Sequence, residues 1–163
     1  MAVWLGKDVA KFVGKGPPIK INPNGVDIKI AEIWRISDDS EVLINGQTRA
    51  INPPKTKLLP KDGFWDLKKG LYEIRLANEI VIPPNATGFT FPRSTFNRLG
   101  IIKAESAVWD SGYKGYGTQT IFVALKRAKI HVDEAWVQLI FISNAEPASE
   151  LYNGYWQGEK PNA

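Results

Sequence analysis

Short apolar segments separated by turn-forming residues make up most of this chain. Within them, apolar residues alternate with polar ones or form brief apolar runs, a pattern typical of strands that are half or fully buried. The segment Val26–Ala31 alternates most clearly, with Asp27 and Lys29 between aliphatic residues. The pattern predicts seven strands: Val26–Ile36, Glu41–Ile44, Gly70–Leu76, Glu79–Ile82, Gly88–Phe91, Thr118–Leu125 and Trp136–Ser143.

Helical spacing of apolar residues occurs only near the start of the chain. Residues 3–13 are predicted to form a short helix, which Gly14–Pro18 would end. Turn residues such as Asn45-Gly46 and Pro83-Pro84-Asn85 separate the predicted strands. The expected fold is therefore all-β, a compact β-sandwich, jelly roll or barrel with one N-terminal helix.

Length and composition indicate a single domain. The 163 residues, of which 44% are hydrophobic and 23% charged, suit one globular unit, residues 1–163. The sequence after Pro147 becomes polar and contains glycine, so residues 147–163 are expected to form a C-terminal arm. No apolar run is long enough to span a bilayer, and the first residues lack the apolar core of a signal peptide. A cytoplasmic protein without membrane contact is expected.

Several chemistries are excluded by residue counts. The chain has no cysteine and a single histidine, His131, so thiolate chemistry, disulfides and histidine-rich metal sites are excluded. The net charge of +4 comes from scattered lysine and arginine residues, which favours a small phosphorylated ligand over a nucleic-acid surface. The same charge is also compatible with simple solubility.

The segment Pro92–Gly100 concentrates groups that bind phosphate. Two guanidinium groups, from Arg93 and Arg98, flank the hydroxyl groups of Ser94 and Thr95. Arginine and hydroxyl groups form charge-assisted, often bidentate hydrogen bonds to phosphate oxygens. The alternative is the start of a helix, with Ser94 or Thr95 as its N-cap.

A second candidate segment, Val108–Gly115, places an acid in a turn. Asp110 precedes a Ser-Gly pair, and Tyr113 follows three residues later. Such a turn can direct the carboxylate into a cleft while the tyrosine ring offers a face for a base or a sugar. The alternative is an aspartate that only stabilises its own turn.

Polar residues inside apolar strands and aromatic residues in the C-terminal arm are further candidates. Gln138 and Asp27 each lie within a strand-like run, so each must find a hydrogen-bonding partner in the core or contact a ligand. The arm segment Tyr152–Lys160 contains three aromatic residues. It could fold over a ligand or pack on a neighbouring subunit.

Taken together and in this order, the motifs resemble those of the dUTPase and dCTP deaminase superfamily, from Asn22 to Gly158. The run Val26-Asp27-Ile28-Lys29 resembles the first motif, and Pro92-Arg93-Ser94 the second. The run from Val108 to Gly115 resembles the third, Gln138-Leu139 the fourth, and residues 152–158 the deaminase tail. The resemblance implies a distorted jelly roll, a homotrimer with active sites between subunits, and Mg²⁺ held mainly by the substrate's triphosphate.

The resemblance also implies residue roles. Asp110 would activate a water molecule that attacks the α-phosphorus of dUTP, and Arg93 would assist by holding phosphate or that water. The substrate contacts implied are Ser94, Thr95, Arg98 and Gln138 near the phosphates, Ala107, Val108 and Trp109 at the uracil, Tyr113 at the deoxyribose, and Tyr152, Gln157 and Lys160 in the arm. Asp27 could reach the metal through water.

The position of Thr120 favours hydrolysis over deamination. Members that deaminate dCTP place a glutamate about ten residues beyond the third-motif aspartate, where this chain has Thr120 and no acid before Asp133. A hydroxyl group does not carry protons as a carboxylate does. Two alternatives stay open: dCTP deamination, because Arg98 and the arm are deaminase-like, and a non-catalytic nucleotide- or sugar-binding module, because the chain has six tryptophans.

Overall fold

The computed structural model describes residues 2–39, 41, 54–104 and 108–160, and they are mostly strands. The strands are β1 (Lys20–Asn22), β2 (Gly25–Ile36), β3 (Lys55–Leu58), β4 (Phe64–Leu76), β5 (Ile80–Val81), β6 (Ala86–Pro92), β7 (Ile101–Lys103), β8 (Lys114–Gly115), β9 (Thr118–His131) and β10 (Ala135–Ser143). The helical segments are α1 (Gly6–Val9), a 3₁₀ turn (Ala10–Phe12) and α2 (Ser94–Arg98).

Strand β2 connects the two halves of the main sheet, whose order is β6-β10-β2-β4-β9-β7. Its first part pairs with β10 and β1, and its second part pairs with β4 and β3. The register of β2 against β4 shifts between Ile30 and Glu32, which bends the strand from one half to the other. A separate two-stranded sheet joins β5 to β8.

The core lies between the inner faces of these strands. Aliphatic residues of β2, such as Val26, Ile28 and Ile33, are fully buried, as are Ile74 of β4 and Leu139 of β10. The first part of β4 alternates between buried and exposed residues, as expected for a half-buried strand, whereas β2 is buried on both faces at its start. The all-β class with a short N-terminal helix is confirmed.

Six of the seven predicted strands are observed with changed bounds, and the seventh, Glu41–Ile44, falls outside the described residues except for its first position. The observed β4 and β9 are longer than predicted, because each continues through residues that pair in register at the far end of the β4–β9 hairpin. The strands β1, β3, β7 and β8 were not predicted. Each has four residues or fewer, which is too short to display a periodicity.

The N-terminal helix is shorter than the predicted 3–13. Helical residues run only from Gly6 to Phe12, because Val3 pairs with Ile142 of β10 and Val13 pairs with Ile80 of β5. Tertiary pairing thus replaces helical hydrogen bonds at both ends, where the β-branched valines suit an extended chain. In the part of the chain that the structure describes, no helix is long and apolar enough to cross a membrane.

Candidate functional site

The residues of the first, second and fourth motifs meet at one end of β2. Asp27 is buried, and Gln138 of β10 lies directly opposite it across the strand pair. The Nε atom of Arg93 lies 3.1 Å from one Asp27 carboxylate oxygen, and Asn22 donates a 2.6 Å hydrogen bond to the other. We call Asp27, Arg93 and Gln138 the Arg93 cluster.

The guanidinium group of Arg93 contacts several other protein groups besides Asp27. Its Nη1 atom donates to the carbonyl oxygen of Ala135 at 3.1 Å and lies 3.6 Å from Glu134. Among the described residues, none accepts a hydrogen bond from its Nη2 atom. A polar cavity of about 190 Å³ lies beside it, lined by Pro18, Lys20, Asp27, Lys29, Arg93, Asp133, Glu134 and Ala135. One donor of Arg93 is therefore available to an anion.

The short helix α2 presents its polar residues to solvent. Phe96, its buried residue, stacks on Trp136 with ring centroids 5.0 Å apart, and this contact fixes the helix on the body. Ser94, Thr95 and Arg98 are all exposed. The helix-start alternative from the sequence is correct in outline, but Arg93 occupies the N-cap and no side chain caps the helix. The three side chains are thus open to a ligand.

The aspartate turn, which we define as residues 109–113, is held on both sides by backbone hydrogen bonds. Trp109 exchanges two hydrogen bonds with Gly88 of β6, at 2.9 and 3.0 Å. Gly112 and Tyr113 bond to Ile82, and Tyr113 also donates to the carbonyl oxygen of Asp110. Gly112 has a φ of +87°, and a Cβ atom there would lie 2.6 Å from Leu151, so this position requires glycine.

The carboxylate of Asp110 is exposed, and within the described ranges no hydrogen bond or ion pair occupies it. The aspartate therefore does not use its side chain to stabilise its own turn. Val108 beside it is 46% exposed, whereas Trp109 is buried and donates to Thr90 from its indole nitrogen. Ala107, expected at the uracil, lies outside the described residues.

The ring of Tyr113 is covered by the chain's own aromatic residues. Trp109 lies 4.7 Å and Tyr152 5.8 Å from it, measured between ring centroids. Its hydroxyl group accepts a 3.1 Å hydrogen bond from the Gly117 amide. Burial raises the pKa of Tyr113 well above its ordinary value, and the nearby Glu159 carboxylate raises this pKa further.

The C-terminal arm docks on the aspartate turn and β8 of the same chain. Gln157 accepts a hydrogen bond from the Lys114 amide at 2.8 Å and donates to the Gly112 carbonyl at 2.9 Å. The Gly158 amide donates to the Lys114 carbonyl, and the Tyr116 amide donates to the Glu159 carbonyl. The arm thus packs on its own chain beside the aspartate turn, and both alternatives for its role, closure over a ligand and packing on a neighbouring subunit, stay predictions.

A buried ion-pair network holds the end of the arm. Arg75 of β4 contacts Glu159 at 3.3 Å, Glu32 of β2 at 3.0 Å, and the carbonyl oxygen of Lys160 at 2.8 Å. Thr118 also donates to Glu159. The sequence gives no signal for Arg75, because one polar residue in an alternating strand is ordinary.

The Arg93 cluster and the aspartate turn both lie along β6. Trp109 pairs with Gly88, Gln138 pairs with Phe91 three residues further along, and Arg93 follows the end of β6. An extended chain rises about 3.3 Å per residue, so the backbone of the turn lies roughly 10–17 Å from that of the cluster. These are the two halves of the predicted site, and no hydrogen bond or ion pair between described residues links them directly.

A carboxylate lies next to Thr120. Glu73 of β4 is directly opposite Thr120 of β9 in the register of the two strands. Its carboxylate forms a 2.5 Å ion pair with Lys55, and both side chains are about one-fifth exposed. The segment around Thr120 contains no acid of its own, but β4 thus places Glu73 opposite it.

Most tryptophan side chains belong to the core rather than to a binding platform. Four of the six are buried, and Trp156 in the arm is exposed. The buried ones are Trp34, Trp65, Trp109 and Trp136. A glycan-stacking surface built from several tryptophans is therefore not formed by the described residues.

Comparison with known proteins identifies relatives along nearly the whole chain. A family model described as dCTP deaminase-like matches residues 7–144. A protein of Aeropyrum pernix named "probable deoxyuridine 5'-triphosphate nucleotidohydrolase" is 33% identical over 140 residues, covering 85% of this chain and 86% of that protein. A protein of Methanococcoides burtonii with the same name is 34% identical over 170 residues, covering 98% and 99%.

A solved structure shares the fold at lower identity. The crystal structure of 2'-deoxycytidine 5'-triphosphate deaminase from Agrobacterium tumefaciens superposes with a TM-score of 0.66 and 14% identity. The match covers 87% of this chain but 48% of the deaminase, so this chain spans about half the length of that protein. The likeness supports the jelly-roll-like architecture expected from the sequence.

Proposed function

Since this chain belongs to the dCTP deaminase-like family, we propose that it hydrolyses dUTP to dUMP and pyrophosphate, with Asp110 as the general base. The exposed, unoccupied carboxylate of Asp110, fixed in a turn beside Tyr113, is the observation that carries this proposal. The names of relatives about one-third identical over most of the chain support the same reaction.

In the proposed reaction a water molecule attacks the α-phosphorus while the Asp110 carboxylate accepts a proton from it. A bond forms between the water oxygen and the α-phosphorus. The bond from this phosphorus to the α–β bridging oxygen breaks, and pyrophosphate leaves with the electron pair. The products are dUMP, pyrophosphate and one proton, which Asp110 later returns to solvent. A positioned base contributes about 10²–10⁴-fold to such a step.

The substrate would lie between the two halves of the site. We assign the phosphates to Ser94, Thr95 and Arg98 on α2 and to the Nη2 atom of Arg93, because these donors are open to solvent. Gln138, opposite Asp27, would add a contact at the same end. These groups would stabilise the charge that develops on the phosphate oxygens during the reaction.

The nucleoside would lie at the aspartate turn. Backbone groups at residues 107–109 would read the uracil edge, and the Tyr113 ring would face the deoxyribose after Tyr152 moves aside. Tyr152, Gln157 and Lys160 would then close over the substrate.

The cytoplasmic location expected from the sequence stays a prediction.

Mg²⁺ is proposed as a cofactor that arrives with the substrate. Magnesium prefers oxygen ligands and retains water molecules, so a triphosphate supplies most of its coordination sphere. One carboxylate oxygen of Asp27 accepts from Asn22 and the other forms an ion pair with Arg93, which fits contact with the metal through water rather than directly. When bound, the ion would neutralise part of the triphosphate charge.

The stretch from Gly88 to Arg93, roughly 17 Å of extended chain, supports a site shared between subunits. A second copy would place its aspartate turn beside the Arg93 cluster of the first. We propose a homotrimer, in which three equivalent interfaces generate three such sites.

The test is pyrophosphate release from dUTP in the presence of Mg²⁺. We expect turnover by the wild-type protein and a loss of at least a hundredfold in kcat for Asp110→Asn, which keeps the size of the side chain but cannot accept the proton. Asp62→Asn is the matched control, because Asp62 is exposed at a distant turn. Wild-type turnover by Asp110→Asn would overturn the assignment of the base.

A second candidate, deamination of dCTP, is favoured by one observation. Glu73 lies opposite Thr120 and could act as the proton carrier that the local sequence lacks. Its 2.5 Å ion pair with Lys55 opposes this role, because the carboxylate is already occupied by a structural partner. Ammonia release from dCTP that disappears in Glu73→Gln would establish this activity, and we expect no release.

A further inference from the structure

The segment that follows β10 contacts the aspartate turn through one side chain. Asn144 is partly buried and lies between the start of β6 and Ser111. Its Nδ2 atom donates to the Ser111 hydroxyl oxygen at 2.9 Å, and its Oδ1 atom accepts from the Thr87 hydroxyl group at 2.8 Å. One amide therefore connects the aspartate turn to β6.

The direction of these hydrogen bonds is fixed. The hydroxyl group of Ser111 is buried and donates its only proton to the carbonyl oxygen of Ala86 at 2.7 Å. It can consequently only accept from Asn144. The Nδ2 atom of Asn144 therefore faces Ser111, which leaves the Oδ1 atom to accept from Thr87.

The two hydrogen bonds of Asn144 lie directly next to the proposed base. Ser111 follows Asp110 in the chain, and no described residue binds the Asp110 carboxylate. The direction of the carboxylate therefore depends on the backbone of the turn. A displacement of about 1 Å in a reacting group can cost on the order of a hundredfold in rate.

We propose that Asn144 is a positioning residue for the reaction, which orients Asp110 through Ser111. This inference rests on the proposed function of the same turn. It assigns to Asn144 a role in the chemical step rather than in substrate binding, because its contacts are with the turn and β6 and it carries no phosphate-binding charge.

The test compares kcat and KM for Asn144→Ala and a nearby control. We expect Asn144→Ala to lower kcat for dUTP about 10- to 100-fold with KM within about twofold of wild type. Asn85→Ala replaces an exposed asparagine close in space and should leave both constants unchanged. Asn144→Asp should lower kcat at least as much as the alanine variant, because a carboxylate presents no donor to Ser111.

A double-mutant cycle separates positioning from general loss of stability. If Asn144 acts through Ser111, the variant carrying both Asn144→Ala and Ser111→Ala should lose no more kcat than the worse single variant. The affinity for a non-hydrolysable dUTP analogue, measured by calorimetry, should stay within about twofold of wild type, which also shows that the variants are folded.

Two outcomes would overturn the inference. The first is an unchanged kcat in Asn144→Ala, and the second is a loss of analogue affinity as large as the loss of kcat. Neither outcome contradicts the proposed function. That function fails only if the wild-type protein releases no pyrophosphate or if Asp110→Asn retains full turnover. The two failures are therefore distinguishable in one set of assays.

Discussion

Arg93 links a buried acid to a surface that is open to phosphate. The carboxylate of Asp27 is 5% exposed and has an ion pair with Arg93 and a hydrogen bond from Asn22 as its partners. Burying a carboxylate without partners is costly, so the guanidinium group is needed whether or not a ligand is bound. The Nη2 atom of Arg93 donates no hydrogen bond to a described residue. Arg93 thus stabilises the fold through its Nε atom and can bind phosphate through its Nη2 atom.

Replacement of Arg93 should destabilise the fold. Arg93→Gln leaves Asp27 without its charged partner, and we expect the free energy of unfolding to fall by about 1–3 kcal/mol in urea titrations. Arg127→Gln is the control, because Arg127 pairs with Asp66 at the surface and should cost less. Equal stability of Arg93→Gln and wild type would show that Asn22 alone satisfies Asp27.

The raised pKa of Tyr113 predicts a loss of stability in alkali. Below its ordinary pKa of 10.0, tyrosine is neutral in both the folded and the unfolded chain. Above this value the unfolded chain releases the proton while folded Tyr113 retains it, because burial and Glu159 oppose the phenolate. The unfolded state then binds fewer protons, so the free energy of unfolding falls as pH rises.

Chemical unfolding at about pH 9 and about pH 11 measures this effect. The wild-type protein should lose more stability between these values than Tyr113→Phe, which has no phenolic proton. Tyr155→Phe removes an exposed tyrosine and should behave as wild type. Parallel losses in wild type and Tyr113→Phe would contradict the raised pKa.

At the scale of elements, the C-terminal arm and β8 behave as one unit. The arm adds backbone hydrogen bonds to β8 and its neighbours, and Gln157 satisfies polar groups of the aspartate turn. Glu159 anchors the arm on Arg75, where both side chains are about one-tenth exposed. A short polar segment with few apolar contacts is held mainly by these polar interactions.

Loss of the Glu159 carboxylate should loosen the arm. Glu159→Gln removes a charge-assisted hydrogen bond to Arg75, and about 1.4 kcal/mol of lost stabilisation corresponds to a tenfold change in local opening. We expect amide hydrogen exchange at residues 157–160 to accelerate about tenfold, as followed by mass spectrometry or NMR. Glu150→Gln, an exposed position nearby, is the control. Unchanged exchange in Glu159→Gln would mean that the backbone contacts suffice.

At the scale of the whole molecule, the proposed trimer places each active site between two copies of the chain. Each chain carries one complete Arg93 cluster with α2 and one complete aspartate turn. In the proposed trimer, each half of a site is completed by the other half from a second copy of the chain. The proposed trimer is therefore testable through activity and not only through size.

Two inactive variants should restore activity when mixed. Asp110→Asn disables the aspartate turn, and Arg98→Ala weakens the phosphate half. After co-refolding of equal amounts, random assortment gives roughly one quarter of the sites two intact halves if each site spans two subunits. Pyrophosphate release from the mixture, compared with each variant alone, is the measurement. No recovery in mixed oligomers would show that both halves of a site come from one chain.

The sequence by itself determined six of the strands, the all-β class and the aspartate turn. These features are encoded locally, because alternating or continuous apolar segments favour strands and the run Asp110-Ser111-Gly112 favours a turn. The motif order also led to the correct superfamily.

Only the tertiary structure decided which distant side chains meet. Arg75 with Glu159, Asn144 with Ser111, and Glu73 with Thr120 are brought together by strand register and by the path of the arm. Each residue is an ordinary polar position in its own segment, so local pattern cannot single it out. The same register fixed the ends of the N-terminal helix and separated the two halves of the site, because pairing between strands far apart in sequence overrides local preference.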